Sequence, residues 1–301
     1  MSAPSPIVIA AFGVFCGCAI DVFVKALSAS IPVLELTVWR FVFGGLIALG
    51  IFIAWRRSWP TWEAWRFHTM RGVVHLGAAL LFFYSLTQLG LAEATVIGFT
   101  AALMIAPIAR VLLGERFGTL TIVATVIGCL GALLTASGPT PGGPPDGERV
   151  LGTAAVLGSA LCYATSVVLL RMRAQKEDAL TIVMLANVLP GLIGLPLLLM
   201  ADPTLDPDVV PSLIMLGFFG LGIWWLFTLA YARAPAQKLA PVEYTAVIWS
   251  ALFGALIFGE VPGWTLYAGA SIIVAACLLA GFEDSLLHAI RRRQSQTPRQ
   301  H

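Results

Sequence analysis

Asp21, Lys25, Glu35, Arg40, His75 and Glu243 are ionisable side chains set inside long apolar segments. A charge at the centre of a membrane helix costs about 2.5–3.5 kcal/mol even on the lenient insertion scale, so each of these groups needs a partner or a task. Asp21 and Lys25 lie one helical turn apart on one face of the first segment. Glu35 and Arg40 follow on the returning segment. Counting ~1.5 Å per residue from the turn between them puts Asp21 level with Arg40, and Lys25 level with Glu35 nearer the surface. Two ion pairs are expected, Asp21–Arg40 and Lys25–Glu35. They either clamp the first two helices or gate an outer mouth and meet a substrate carboxylate. His75 stands in the third segment at about the depth of Glu243. Facing each other they would form a proton-responsive pair that titrates near neutral pH, although a lone helical histidine also serves as a packing residue.

Tyr84, Gln88, Thr100, Met104, Tyr163, Ser166, Trp224, Trp225, Tyr244 and Trp249 fall at or near mid-depth of their segments. Tryptophan and tyrosine ordinarily gather at membrane interfaces, so Tyr163, Trp224 and Trp249 at mid-depth suggest the wall of a cavity for small amphipathic or aromatic cargo. The alternative is packing between helices. Trp55, Trp59, Trp62 and Trp65 cluster beside a basic loop and are expected to be interfacial anchors. Pro107, whose counterpart later in the chain is Leu252, is expected to kink the fourth segment and make it the moving element. Gly13 and Gly17 are spaced for close helix contact.

Enzymatic readings find no support. There is no H-E-x-x-H for a metalloprotease and no G-x-S-x-G turn for His75 to serve. A paired-carboxylate mechanism fails because Asp21 is matched to Arg40. The absence of G-x-x-x-x-G-K-[ST] argues against ATP as the driver. The five cysteines all lie in apolar runs, which argues against disulfides and metal sites. No cofactor, metal or nucleic acid is expected, the net charge being only +2.

The elements that carry these residues are membrane helices. Hydrophobic residues make up 58% of the chain and charged ones 11%, with a mean hydropathy of +0.89. A soluble domain carries about 25% charged residues, so this chain has too little polar surface for water. The first apolar run follows no basic region and is too long for a signal peptide, so no cleavable signal is expected. Apolar stretches of spanning length recur at 7–28, 33–54, 70–89, 92–113 and 120–136, then at 151–171, 180–200, 211–231, 239–258 and 263–282. The Gly/Pro-rich stretch 137–149 separates the two sets and reads as a linker. Arg56, Arg57, Arg66, Arg71, Arg110, Arg116, Arg171, Arg173, Lys176, Arg233, Lys238 and the arginines of the tail 283–301 share one side. Only Arg149 stands opposite, beside Asp202, Asp206 and Asp208. Positive charge marks the cytoplasmic side, so both termini are expected there.

The two sets repeat one another. Gly114-Glu115 matches Gly259-Glu260 at an offset of 145, and Gly72/Gly217, Leu81/Leu226, Thr100/Thr245 and Leu133/Leu278 match in the same register. An odd number of helices per repeat inverts the second relative to the first, and a substrate site is expected between them near the midplane. Glu115 and Glu260 precede helix amino ends, where free amides favour an anion, and are expected to cap the hairpins they enter.

Trp39-Arg40-Phe41, the two Gly-Glu helix endings and Ala240-Pro241-Val242-Glu243-Tyr244-Thr245 carry a resemblance to the drug/metabolite transporter superfamily, specifically its bacterial ten-helix EamA-type group. The resemblance covers nearly the whole chain. It implies an all-α membrane fold of ten helices, with EamA-like repeats at 1–136 and 150–282, in the bacterial inner membrane. It further implies alternating access, a small-molecule cargo, the lipid bilayer as surroundings and a monomer. Members resembling this chain in size export amino acids, including aromatic ones, and related metabolites. Others carry riboflavin, S-adenosylmethionine, nucleotide sugars or cationic drugs, so import of a cofactor-like molecule is the alternative reading.

Overall fold

In hydrocarbon a backbone amide has no water to bond, so an apolar segment of this length closes its hydrogen bonds internally as a helix. The computed structural model describes residues 5–55, 58–114, 119–138, 146–173, 177–201, 206–231, 233, 239 and 242–296, with backbone alone at 146, 231 and 281–296. Its helices are α1 (Pro6–Leu27), α2 (Val33–Trp55), α3 (Trp62–Gln88), α4 (Leu91–Gly98), α5 (Thr100–Leu113), α6 (Thr119–Ala136), α7 (Asp146–Arg173), α8 (Ala179–Met200), α9 (Val210–Tyr231), α10 (Ala246–Phe258) and α11 (Trp264–Gln296). Among the described residues, 8 helical stretches are long and apolar enough to cross a membrane, and Ala246–Phe258 and Trp264–Ala280 are shorter apolar helices. The chain is a multi-pass membrane protein. Most of the linker 137–149, together with Glu115, Arg116, Arg56, Arg57, Lys176, Asp202, Lys238, Ala240, Pro241 and Arg299, lies outside the described residues.

Several helices outrun the apolar stretches that announce them. α3 begins at Trp62 because Thr61 caps it, its hydroxyl accepting from the Ala64 amide at 3.3 Å. Trp62 is therefore helical but exposed, and Trp55 at the end of α2 and Trp59 between the helices are exposed too. Asp178 caps α8 by accepting from the amides of Leu180 and Thr181. At their far ends, α5 and α10 both stop at a left-handed glycine, Gly114 (φ 67°) and Gly259 (φ 66°), a conformation that only glycine adopts without strain.

Pro107 does not break its helix. The fourth segment breaks at Phe99 instead, dividing it into α4 and α5, and α5 runs through Pro107. The Thr100 hydroxyl donates to the Ile97 carbonyl at 2.7 Å there. The same device recurs at the counterpart position, where Thr245 donates to Val242 at 2.6 Å just before α10. A threonine hydroxyl bonding three residues back offers the carbonyl an alternative to the helical ladder, which accounts for a break where the residue pattern stays apolar.

The principal helix pairs are α1 with α9, α3 with α7, α2 with α8 and α6 with α11, while α2 also meets α9, α8 meets α3, and α4 meets α10. The crossings run over glycine. Gly217 in α9 lies so close to α2 that a Cβ there would stand 2.6 Å from the Gly44 nitrogen. Gly45 and Gly191 bring α2 and α8 close as well, with a Cβ at 3.1 Å and 3.2 Å from the facing backbone. Without a hydrophobic drive between helices in lipid, such small-residue contacts hold the bundle by packing. They also bring α2, which carries Arg40, onto α8 and α9.

Candidate functional site

Arg40 projects from α2 into the centre of the bundle and is buried to 6% exposure. Its guanidinium stands over the rings of Phe41 (4.6 Å) and Phe83 (5.7 Å). It rests against Gly220 of α9, where a Cβ would come within 2.9 Å of the Arg40 Nε. That Nε is buried and has no hydrogen-bond partner. Asp21 of α1 faces Arg40 across this space, half-buried and within reach of its field. The two make no direct ion pair among the described residues, which corrects the expectation of an Asp21–Arg40 bridge. Phe41, Phe83 and Gly220 hold the guanidinium by its faces and stem, leaving its charge unmatched by direct contact.

His75 of α3 sits beside this pair at 7% exposure, edge-on to Phe41 at 5.5 Å and to Trp224 at 5.7 Å. Neither ring nitrogen has a partner. The charged groups that face it are Arg71 and Arg40, not Glu243. Glu243 instead lies toward Tyr163 and Tyr244. Trp224 continues the wall onto Tyr163, with centroids 6.4 Å apart. α1, α2, α3, α7 and α9 thus bring Asp21, Arg40, His75, Tyr163 and Trp224 together around a polar centre walled with aromatic rings. A buried polar group without a partner costs roughly 1–3 kcal/mol, more when charged, so these groups do not add to the stability of the bundle.

The other residues singled out from the sequence fall elsewhere. At 100° per residue Tyr84 lies on the face of α3 opposite His75, and it is exposed. Gln88 packs against Gly152 of α7, and its amide donates to Thr87. Thr100 is fully buried and spends its hydroxyl on its own helix. Met104 is half-buried on α5. Tyr244 meets Phe99 edge-on at 5.4 Å, and Trp249 joins Phe15 and Phe253 in a separate aromatic group. Glu35 pairs with no described cation.

Lys25 reaches across the bundle instead. Its ammonium pairs with Glu260 at 2.8 Å and donates to the carbonyls of Leu86 and Leu89 at the end of α3. The second Glu260 oxygen accepts from the Leu91 amide at 2.7 Å and so caps α4, not the helix that follows Glu260 in the chain. The chemistry is the expected one of an anion at a helix amino end, on a different helix. Beside it Arg149 pairs with Glu93 at 2.8 Å and donates to the Gly138 carbonyl. Both pairs tie the first part of the chain to the second at one end of the bundle. Arg149 had shown in the sequence only as a lone charge among acids.

At the opposite end His68 bonds Glu177 at 2.6 Å, and Arg173 pairs with Glu63 at 2.5 Å. Arg71 donates to the Ser166 carbonyl at 3.3 Å. A third cross-link, Thr95–Ser250 at 2.9 Å with Cys18 at 3.9 Å from Ser250, joins α4, α10 and α1 in the core. None of these links had a sequence signal, because each partner lies far along the chain.

The Gly220 contact yields a test. In the Gly220→Ala variant the new methyl displaces the guanidinium while the backbone stays clear, so the chain should fold. A misplacement of about 1 Å at a binding group costs on the order of 100-fold. Saturable flux should fall by 10–100-fold on that scale, chiefly through a raised KM. Unchanged flux would mean that Arg40 has no part in the site.

Such a bundle, with its unsatisfied polar centre and ionic ties at both ends, has the make-up of a membrane carrier, and the comparisons agree. The EamA-like transporter family model matches residues 4–137 and again 150–282, and the chain belongs to that family. It is 27% identical over 269 residues to solute carrier family 35 member G1 of Homo sapiens, covering 85% of this chain and 73% of that one. It is 23% identical over 264 residues to the S-adenosylmethionine uptake transporter of Rickettsia prowazekii, covering 88% of each. It is 24% identical over 285 residues to the pseudopaline exporter of Pseudomonas aeruginosa, covering 91% of this chain and 95% of that one. A solved crystal structure shares the fold, with a TM-score of 0.63 at 19% identity over 92% of this chain and 98% of the other.

Proposed function

We propose that this chain is a secondary transporter that exports amino acids, or similar small amphipathic metabolites, across the bacterial inner membrane by alternating access. The observation that carries the reading is the unpartnered Arg40 Nε and His75 ring in the core, walled by Trp224, Tyr163 and Phe41. The two halves, 1–136 and 150–282, act as inverted five-helix repeats around this site. Support comes from contacts that exchange under the offset of 145: Gly13 with Leu226 and Gly158 with Leu81, or Gly217 with Gly44 and Gly72 with Leu189. Phe99 and Tyr244, counterparts in the repeat, touch each other, as residues on a two-fold axis do. Charge in the loops supports cytoplasmic termini and a periplasmic Lys25 end.

The family and the relatives named above are transporters, which weighs against an intramembrane enzyme. A second reading, import of a cofactor-like metabolite on the same fold, is favoured by the likeness to an S-adenosylmethionine uptake transporter. Uptake of a labelled amino-acid panel into proteoliposomes, with and without a pH gradient, separates them. Saturable, protein-dependent flux is the expected result. Gradient sensitivity lost in Glu243→Gln or His75→Gln would assign proton coupling to those groups. No flux of any amino acid, with flux of S-adenosylmethionine, would replace the first reading by the second.

A further inference from the structure

One face of α3 carries His68, Arg71 and His75, spaced three and four residues apart and all buried. Two turns of helix, about 10 Å, thus separate the Glu177 tie from the centre where Arg40 stands. The hydrogen bonds at the Glu177 end assign each proton. A guanidinium has only donors, so the Arg71 Nη1, 3.4 Å from the His68 Nδ1, requires a lone pair on that nitrogen. The ring proton is then on Nε2, which donates to the Glu177 Oε2 at 2.6 Å. His68 is therefore neutral here, and Arg71 covers its one basic nitrogen. A proton on Nδ1 would point at a guanidinium N–H, so the imidazole can hold Arg71 or a second proton, and not both.

Glu177 supplies the matching negative charge. Its Oε1 is buried without a hydrogen-bond partner, 3.9 Å from the Arg173 Nη1, and Arg173 is itself drawn to Glu63 at 2.5 Å. Among the described residues the charged groups that face His68 are Glu177, between α7 and α8, Arg71 of α3 and Arg173 of α7. Asp178 spends its carboxylate on the first turn of α8. A cavity of about 210 Å³, lined by Thr61, Arg173, Glu177, Asp178 and Thr181 among others, lies against the pair.

We infer that His68 and Glu177 form a proton-binding site that governs the contact of α3 with α7. A proton taken from water in the cavity binds the His68 Nδ1 and evicts Arg71, and the imidazolium stays paired with Glu177 through Nε2. The tie of Arg71 to α7, Nε to the Ser166 carbonyl at 3.3 Å, lapses with it. The guanidinium then turns toward Tyr163 and His75, which it already faces. Proton uptake and the loosening of α3 from α7 are one equilibrium, so each favours the other. The place of this step in a transport cycle rests on the carrier reading above, whereas the site itself is tested without flux.

The test uses the full-length protein in lipid nanodiscs, titrated from about pH 8 to about pH 5. With histidine labelled in its ring nitrogens, nuclear magnetic resonance follows the His68 signals, identified by their loss in His68→Gln. The ring should carry its proton on Nε2 at high pH and become doubly protonated on acidification. Arg71→Met should make it bind the second proton about tenfold more tightly, and Glu177→Gln, which keeps an acceptor without the charge, about tenfold more weakly. A second arm reads the helix contact. In a chain whose native cysteines are replaced, Ser166→Cys is labelled with maleimide, and its rate is divided by that of the same chain carrying His68→Gln. The division cancels the thiolate's own response to pH. The ratio should rise about tenfold as the pH falls. A proton on Nδ1 at high pH, a ring that stays neutral throughout, or a ratio that does not change with pH overturns the inference. Flux in proteoliposomes would in each case leave the transporter reading standing on its own.

Discussion

Replacing Glu260 by glutamine should open the Lys25 end of the bundle. The carboxylate holds two different elements at once, the Lys25 ammonium at 2.8 Å and the Leu91 amide at 2.7 Å. Glutamine keeps the shape but cannot serve both, because its amide nitrogen repels whichever donor it meets. The residues are 17% and 19% exposed, so solvent screens part of the Coulomb energy. A charge-assisted hydrogen bond in such a place contributes about 1.5–3 kcal/mol, which corresponds to roughly a 10–100-fold shift in a two-state population. Cys18 reports the shift. It lies deeper than Lys25 on α1, is 2% exposed and faces Ser250. In a chain whose other four cysteines are replaced, an impermeant maleimide added on that side should label Cys18 at least about tenfold faster in Glu260→Gln than in the parent. Equal rates would show that the Lys25–Glu260–Leu91 link is not a closure.

Gly217→Ala should be among the costly single-methyl additions at the described glycines. The added carbon would sit 2.6 Å from the Gly44 nitrogen, 2.9 Å from the Phe43 Cβ and 3.1 Å from the Phe43 carbonyl carbon. The first and last of these are backbone atoms of α2, which is itself pressed onto α8 at Gly45 and Gly191. No rotamer change relieves a backbone clash, so α2 and α9 must part. Overpacking of this kind costs about 1–3 kcal/mol and occasionally more, while separating the helices also disturbs the seat of Arg40. Gly50→Ala is the matched control, with nothing within 4 Å of its Cβ and an expected gain of about 0.5–1 kcal/mol from helix propensity. Size-exclusion recovery after heating in detergent should fall sharply for Gly217→Ala and hold or rise for Gly50→Ala. Matching heat tolerance would contradict so close a crossing.

The two predictions differ in how visible their residues are in the sequence. Gly217 is legible as a repeat position matching Gly72, and its small size suggests helix contact, but not that its partner is Gly44. Glu260 is legible as an anion beside a helix start, yet it caps α4, to which it is joined only through the fold.

Periodic apolar runs of spanning length, loop charge and the register of 145 residues are properties of the chain itself. They suffice for membrane helices, their order and the doubling of the unit, because hydrocarbon leaves a polypeptide few ways to satisfy its backbone. His75, Tyr163 and Trp224 are recognisable as misplaced in apolar surroundings for the same reason. Which charges meet is a different matter. Depth along a helix can be counted from sequence, whereas rotation about its axis and the identity of its neighbours are set by side-chain packing across the whole bundle. Hence Lys25 bonds Glu260 and not Glu35, and His75 faces Arg40 and Arg71 and not Glu243. For the same reason Tyr84 turns away from the centre, and the fourth span breaks at Phe99. Pairing across more than two hundred residues leaves no local trace, and only the folded arrangement of α1, α4 and α10 decides it.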